Sequence, residues 1–170
     1  TIPGFPIDER RIVTSDEMLS IPELPKRAVV IGGGAIGCEF ASMMADLGTK
    51  VTIIEAAPKI LVNCDPDIIR VVERNFAKRG IEIHSGVGVT GQTTTADGVS
   101  VHFGEGQSAE ADTVVVSLGR RPLSESLGLE ATQVAVDARG FITVDEYCRT
   151  TVDGVWAVGD VINTPQLAHT

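Results

Sequence analysis

No apolar run in the sequence approaches the roughly 20 residues needed to cross a bilayer, so a membrane-spanning segment is not expected. The start, Thr1-Ile2-Pro3-Gly4-Phe5-Pro6, lacks the pattern of a secretory leader. Basic residues are also few, because 14 Lys and Arg stand against 23 Asp and Glu, for a net charge of -9. This charge argues against nucleic acid and against an anionic membrane as partners. We expect a cytoplasmic or organelle-matrix protein.

Cysteine is scarce as well. Cys38, Cys64 and Cys148 are odd in number and widely scattered, with no CxxC or metal-ligand spacing. Neither a disulfide framework nor a metal site is therefore expected. The 170 residues are 43% hydrophobic, which is enough for the core of one domain. Both ends look cut, since the first residue is Thr1 and a new segment begins just before Thr170.

The central part of the sequence switches between two periodicities. Short apolar runs at 26–31, 51–54 and 81–84 predict buried parallel strands. Apolar residues recur at helical spacing from Ile36 to Leu47 and again after the cap Asp65-Pro66. The order strand, helix, strand, helix, strand implies right-handed crossovers. We predict an α/β fold, with a Rossmann-like parallel sheet and helices on both faces.

A three-stranded antiparallel β-meander is predicted to follow. Residues 87–95 and 99–103 alternate in polarity on either side of the turn Ala96-Asp97-Gly98, and Gln107 to Ala111 is the third candidate strand. The remaining predicted strands are a parallel one at 113–117 and two short ones at 140–144 and 155–158. Without sheet partners, the last strand should be disordered, pair with another chain or lie against its own domain.

The loop Gly32-Gly33-Gly34-Ala35-Ile36-Gly37 fits the pattern GxGxxG. A lone match is weak, but this one follows a strand and opens an amphipathic helix, as dinucleotide binding requires. Gly32 would permit the tight turn, Gly34 would let a pyrophosphate approach the backbone, and Gly37 would let helix and strand pack closely. The phosphates would lie on unpaired N–H groups at the positive end of the helix.

Glu55 ends the second strand, about twenty residues beyond the loop, where an acid accepts hydrogen bonds from the adenosine ribose. A carboxylate there would repel a 2′-phosphate, so the sequence favours NAD over NADP. Lys59 lies near enough to keep NADP open. The simpler alternative is a strand–helix–strand unit with a glycine turn and an ordinary acid at a strand end.

In this order, the motifs resemble the pyridine nucleotide-disulfide oxidoreductases, in which an NAD domain is inserted into an FAD domain. The similar segments are Ile2-Pro3-Gly4, Gly32 to Glu39, Ser117 to Pro122 and Thr151 to Asp160. Leu167-Ala168-His169 is most similar to the dihydrolipoamide dehydrogenase branch, although Gln166 stands where methionine is usual. The resemblance implies a linker at 1–23, an NAD-binding domain at 24–144 and a return into the FAD domain at 145–170.

The resemblance also implies cofactor contacts. Those for NAD are Gly32, Gly33, Gly34, Ala35, Ile36, Gly37 and Cys38 in the loop, Glu55 at the ribose, Val89 at adenine and Gly119 toward nicotinamide. Those for FAD are Glu39, paired with a lysine outside this chain, Asp160 at the ribityl hydroxyls, and Gln166, Leu167, Ala168 and His169 at the isoalloxazine edge.

Each of three implied residues also has a structural interpretation. Glu39 would be favoured by the helix dipole if it lies in the first turn, and Asp160 by a turn. Cys38 near the helix start could have a lowered thiol pKa, but small thiols on helix–sheet faces are more often simply buried.

The function implied is oxidation of a protein-bound dihydrolipoyl group, with electrons passing through a disulfide and FAD to NAD. The implied partners are a lipoyl-bearing protein of a 2-oxoacid dehydrogenase complex and a second copy in a full-length homodimer. This chain holds no cysteine pair four residues apart and no first FAD glycine loop, so we predict no catalytic residue in it. The alternatives are a soluble transhydrogenase or mercuric reductase, a non-catalytic NAD-sensing module, and a purely structural α/β domain.

Overall fold

A computed structural model describes residues 2–164 of the chain. They form two compact units, one up to Gly119 and one from Arg120 onward. This division differs from the domain predicted at 24–144, because residues 120–144 cluster with those that follow them. No helix within residues 2–164 is long and apolar enough to cross a membrane.

The first unit contains a five-stranded parallel sheet. Its strands are β1 (Ile12–Thr14), β2 (Arg27–Ile31), β3 (Lys50–Glu55), β4 (Glu82–Ser85) and β8 (Thr113–Val116). They lie in the order β1-β8-β2-β3-β4. Ile31 at the end of β2 is in register with Ile54 on one side and Val116 on the other. From β2 the chain adds β3 and β4 on one side and later adds β8 on the other, so the strand order reverses between β2 and β8. Ligands of α/β sheets bind at the carboxyl ends of the strands at such a point.

The predicted meander is present. It consists of β5 (Val89–Thr95), β6 (Gly98–Phe103) and β7 (Gln107–Ala111), all antiparallel. Between Val89 and Gly91 the pairing register shifts, which marks a β-bulge. The fold class is therefore confirmed as α/β with a separate three-stranded antiparallel sheet.

Three helices accompany the sheet: α1 (Ser15–Met18), α2 (Ala35–Asp46) and α3 (Pro66–Lys78). Helix α3 begins where the sequence predicts, because the Asp65 side chain accepts from the N–H of Asp67 at 2.8 Å and Pro66 occupies the first turn. Helix α2 has Gly34 as its N-cap and no side-chain cap.

The two faces of the sheet are covered by different layers. Buried residues of all three helices pack in one hydrophobic cluster with alternate strand residues such as Val30 and Val115. The other alternate residues, such as Val29 and Val114, pack with Val99 of the meander. Among the described residues, helices therefore cover one face only, and the meander takes the place of the predicted second helical layer. Its alternating strands present an apolar side that can cover the sheet as well as a helix does.

The segment predicted as a linker contributes to the first unit. Ile12 and Val13 in β1 are buried against β8. The short helix α1 follows β1 directly. It starts with a capping box, in which Thr14 accepts from the N–H of Asp16 and Glu17 accepts from the N–H of Thr14.

The second unit is irregular within its described part. It contains three 3₁₀ turns and a small core of Ile142, Ala157 and Ile162. The two short strands predicted here are wrong, because only isolated bridges form, from Val136 to Ile142 and from Arg149 to Trp156.

Local side-chain hydrogen bonds explain the loss of the strand predicted at 140–144. Asp137 accepts from the N–H groups of Arg139 and Phe141, and Asp145 accepts from those of Tyr147 and Arg149. Such aspartate turns compete with strand pairing for the same backbone donors. Of the three fates expected for residues 155–158, the structure favours packing within their own unit, since Ala157 is buried in its core.

Candidate functional site

The carboxyl ends of β2, β3 and β8 meet at the glycine turn. Gly32 has φ +108°, which L side chains rarely adopt, and its N–H donates to Ile54 O at 2.9 Å. A Cβ at this position would lie 2.6 Å from the carbonyl oxygen of Ser117. The predicted tight turn is therefore present, and it requires glycine.

Two further glycines are required by packing. A Cβ on Gly37 would overlap the carbonyl oxygen of Gly32 and lie 2.7 Å from Ser117 Oγ, so helix α2 touches the turn directly. A Cβ on Gly33 would lie 2.6 Å from Cγ2 of Ile60, which is fully buried. The close approach of helix and strand predicted at Gly37 is present.

Gly34 differs from these glycines because space is open beside it. No heavy atom lies within 4 Å of a Cβ built on Gly34, and its φ of -72° is ordinary. The preceding carbonyl, on Gly33, points inward and accepts from the N–H of Leu61 at 2.8 Å and from Cys38 Sγ at 3.4 Å. Because the peptide is planar and trans, the N–H of Gly34 points the opposite way.

The start of helix α2 therefore offers free donors. Within residues 2–164, no acceptor takes the N–H groups of Gly34, Ala35 or Ile36. The first amides of a helix carry its positive partial charge. Together with the open space beside Gly34, they form a surface suited to an anion such as phosphate.

Glu55 lies at the same turn. Its Oε2 accepts from the N–H of Gly33 at 2.5 Å and its Oε1 from the N–H of Ala57 at 2.6 Å. The side chain is half-buried at the end of β3. The carboxylate thus fixes the glycine turn and keeps two oxygens with further lone pairs at the carboxyl edge of the sheet.

Cys38 is buried beneath this turn, with 6% of its surface exposed. Burial, and then the charge of Glu55, raises the pKa of the Cys38 thiol to about 12. The possibility of a lowered thiol pKa is wrong, because burial and the charge of Glu55 both raise the pKa of Cys38.

Val89 and Gly119 lie beside this edge. The segment before Val89 is held to it by the N–H of Val87, which donates to Glu55 O at 3.1 Å. Val89 itself is half-buried and packs against the meander-side cluster. Gly119 is exposed, with φ +81°, shortly after the end of β8. Gly119 thus follows β8, whose carboxyl end contributes to the candidate site, and Val89 follows the neighbouring strand β4.

A protein-family model described as "Pyridine nucleotide-disulphide oxidoreductase" matches residues 1–170. The chain belongs to this family. The resemblance inferred from the sequence motifs is therefore confirmed.

Members of the family are similar to nearly the whole chain. Dihydrolipoyl dehydrogenase of Cupriavidus necator is 40% identical over 99% of this chain and 36% of its own length. The HOCl-induced flavoprotein disulfide reductase RclA of Escherichia coli superposes with a TM-score of 0.85, at 36% identity over 99% of this chain and 37% of that one. The water-forming NADH oxidase of Lactobacillus brevis, solved bound to NADH, gives 0.80 at 28% identity over 95% and 36%. The chain spans little more than a third of these relatives.

The residues predicted to contact flavin belong to different units or lie outside the described residues. Glu39 is exposed, and it is the fifth residue of α2, so its predicted position in the first turn is wrong. Asp160 is exposed in a 3₁₀ turn of the second unit. Gln166, Leu167, Ala168 and His169 lie outside the described residues. No group of three or more His, Cys, Asp or Glu within residues 2–164 could hold a metal ion.

Sequence reasoning missed three residues that shape the turn. Ile60 lies against Gly33, Leu61 donates to the Gly33 carbonyl, and Ser117 contacts both Gly32 and Gly37. Leu61 has φ +50°, which is uncommon for a residue with a side chain. Only Ser117 had a visible signal, as a polar residue that ends an apolar strand.

Proposed function

We propose that the glycine turn binds NAD(H), with the pyrophosphate on the free N–H groups of Gly34, Ala35 and Ile36. The observation that carries this proposal is the 2.5 Å hydrogen bond from Gly33 N to the Glu55 carboxylate. It places an acid beside the start of a helix whose first amides are unengaged. A dinucleotide needs both groups together, one for its phosphates and one for its adenosine ribose.

Glu55 would select NAD over NADP. Each carboxylate oxygen already accepts one main-chain N–H and can still accept a ribose hydroxyl. A 2′-phosphate would meet this negative charge at close range and be repelled. The NADH-bound oxidase, similar over 95% of this chain, supports the same cofactor. We propose that Val89 lies against adenine and that Gly119 approaches the nicotinamide.

For the whole protein, we propose an FAD-dependent disulfide oxidoreductase resembling dihydrolipoyl dehydrogenase. The flavin would supply the hydride chemistry, while this chain would orient the nicotinamide and exclude water. Glu39, Asp160 and Gln166 to His169 would contact the flavin. A lipoyl-bearing protein would be the partner, and the full-length enzyme would be a cytoplasmic homodimer.

We further propose that an FAD domain, outside this chain, packs on residues 145–170. Large apolar side chains are exposed in the second unit: Trp156 at 59% and Val158 at 69%. Surfaces of this kind typically mark contacts with other protein.

The first experiment titrates the chain with NADH and, separately, with NADPH, and measures the heat of binding by calorimetry. We expect NADH to bind at least about tenfold more tightly, equivalent to about 1.4 kcal/mol. Glu55→Gln should reduce this preference, because a neutral amide does not repel the 2′-phosphate. No heat and no thermal shift with NADH would contradict the proposal and favour a purely structural domain.

A substitution at Gly34 tests where the phosphates lie. Gly34→Ala should fold, since its Cβ meets nothing within 4 Å, and should cost at most about 1 kcal/mol at the N-cap. It should nevertheless weaken NADH binding at least about tenfold, because the methyl group would stand where the phosphates approach the backbone. The matched control is Gly91→Ala in β5, which also has open space around its Cβ. Equal NADH affinities for the two variants would contradict this placement.

A further inference from the structure

Ser117 follows β8, and its N–H and its hydroxyl both donate to the main chain at Ile31 and Gly32. Its N–H donates to Ile31 O at 2.9 Å. Its hydroxyl lies 3.1 Å from Ile31 O and 3.1 Å from Gly32 O and donates to this pair of carbonyls. These bonds join β8 to the end of β2, where the strand order of the sheet reverses.

The same side chain fills the space that two glycines leave. Its Oγ would lie 3.2 Å from a Cβ on Gly32 and 2.7 Å from a Cβ on Gly37. Ser117 therefore touches both the turn and the first residues of helix α2. The chain then continues to Leu118 and Gly119, which are exposed at the carboxyl edge.

Ser117 and Glu55 hold one peptide group from opposite sides. The carbonyl of the Gly32–Gly33 peptide accepts from Ser117 Oγ, and its N–H donates to Glu55 Oε2 at 2.5 Å. The following peptide is fixed at its carbonyl by Leu61 and leaves the N–H of Gly34 free. The two peptides share the Cα atom of Gly33, so the hydrogen bonds that hold the first and the bond that Leu61 donates to the second together limit rotation about that atom.

We propose that Ser117 is a positioning residue for the dinucleotide, which it serves by orienting the peptide before Gly34 so that the free amides face the phosphates. This inference rests on the proposed binding of NAD(H) at the glycine turn. Ser117 itself does not touch the nucleotide in this proposal.

A stabilising role and a positioning role differ thermodynamically. A hydroxyl that only stabilises the fold contributes equally to the free and the NADH-bound chain, so its loss leaves the dissociation constant unchanged. A hydroxyl that orients the loop contributes more to the bound chain, where the amides meet charge. Its loss therefore raises the dissociation constant.

Thr49 provides a matched control at the other edge of the sheet. Its buried hydroxyl donates to Pro25 O at 2.7 Å, next to the start of β3. Thr49→Val and Ser117→Ala each remove one hydroxyl that donates to main-chain oxygen. The Thr49 hydroxyl has no hydrogen bond to the glycine turn within residues 2–164.

The experiment measures NADH fluorescence titrations and thermal midpoints for the wild-type chain and both variants. We expect Ser117→Ala to weaken NADH binding about threefold to tenfold, the size expected from one hydrogen bond. Thr49→Val should lower the thermal midpoint and leave NADH affinity within about twofold of wild type, a free-energy change well under 1 kcal/mol.

Equal NADH affinity for wild type and Ser117→Ala would overturn the inference. If Ser117→Ala does not fold, Ser117→Cys keeps a weaker donor of similar shape and should bind NADH with intermediate affinity; wild-type affinity in that variant would also overturn it. Failure of the wild-type chain to bind NADH would instead refute the proposed function on which the inference rests.

Discussion

The two edges of the five-stranded sheet use their polar side chains differently. At the amino edge, Arg27 forms an ion pair with Asp112 at 2.7 Å, and Lys50 forms one with Glu82 at 3.2 Å. At the carboxyl edge, Glu55 instead accepts hydrogen bonds from main-chain N–H groups. Asp112 adds a hydrogen bond from the N–H of Arg27 at 2.9 Å to its ion pair, whereas Glu55 pairs with no cationic side chain within residues 2–164 and holds main-chain donors.

The amino edge is also closed by the meander turn. Arg11 donates to Thr95 O and Ala96 O, and Arg27 reaches Asp97 O at 3.4 Å. At the carboxyl edge the helix amides after Gly33 keep their hydrogen-bonding capacity. The comparison indicates that the amino edge holds its charged side chains in ion pairs and hydrogen bonds, whereas the carboxyl edge combines backbone hydrogen bonds with unused donors for a ligand.

The largest effect is expected from Gly37→Ala. The new methyl group would overlap Gly32 O, so helix α2 must move away from β2. We expect a loss of about 2 to 3 kcal/mol of stability from overpacking, measured by urea unfolding, and at least about tenfold weaker NADH binding, or 1.4 kcal/mol. Unchanged stability would show that the contact between helix and turn is looser than the structure indicates.

An intermediate effect is expected at the amino edge from Asp112→Asn. Burial pushes the pKa of Asp112 upward, but hydrogen bonds and charge from Arg27 outweigh it, so the pKa lies below its usual range. A lowered folded-state pKa adds stability above the ordinary aspartate pKa, and this stability is lost as pH falls through the folded value. The variant should lower the thermal midpoint at pH 7 by on the order of a few degrees.

The pH dependence distinguishes this interpretation from a general packing defect. The difference in midpoint between wild type and Asp112→Asn should shrink as the solution is acidified through the carboxyl range. NADH affinity should not change, because the ion pair lies at the opposite edge from Glu55. A weaker NADH affinity in this variant would mean that the two edges are coupled.

The smallest effect is expected from thiol reagents. Cys38 is buried and the pKa of its thiol is raised to about 12, so at pH 8 the thiolate is scarce. Cys64 is exposed. Mass spectrometry after iodoacetamide treatment should show Cys64 modified first and Cys38 modified only after unfolding, with NADH affinity retained. Rapid modification of folded Cys38 would mean that the turn above it opens.

Local patterns were sufficient for much of the first unit. Runs of β-branched residues predicted β2, β3 and β8, and the Asp65-Pro66 cap predicted the start of α3. Alternation predicted the meander, because a strand with one covered face needs apolar residues at every second position.

Long-range pairing was not visible in the same way. Strand β1 has three residues and pairs with β8 about a hundred positions later, so no local signal separates it from a linker. The aspartate turns of the second unit were missed for the opposite reason. The apolar runs at 140–144 and 155–158 resemble strands, but Asp137 accepts from the N–H of Phe141, while Val155 and Ala157 donate to the nearby carbonyls of Val152 and Cys148.

The sequence by itself determined the fold class, the family and the glycine turn followed by its acid, because each depends on residues close along the chain or in a fixed order. Only the tertiary structure decided which layer covers each face of the sheet, that Cys38 is buried beneath the turn, and that Ser117 meets Gly32 and Gly37. These facts depend on contacts between residues distant in sequence, which form only when the strands pair in a particular order.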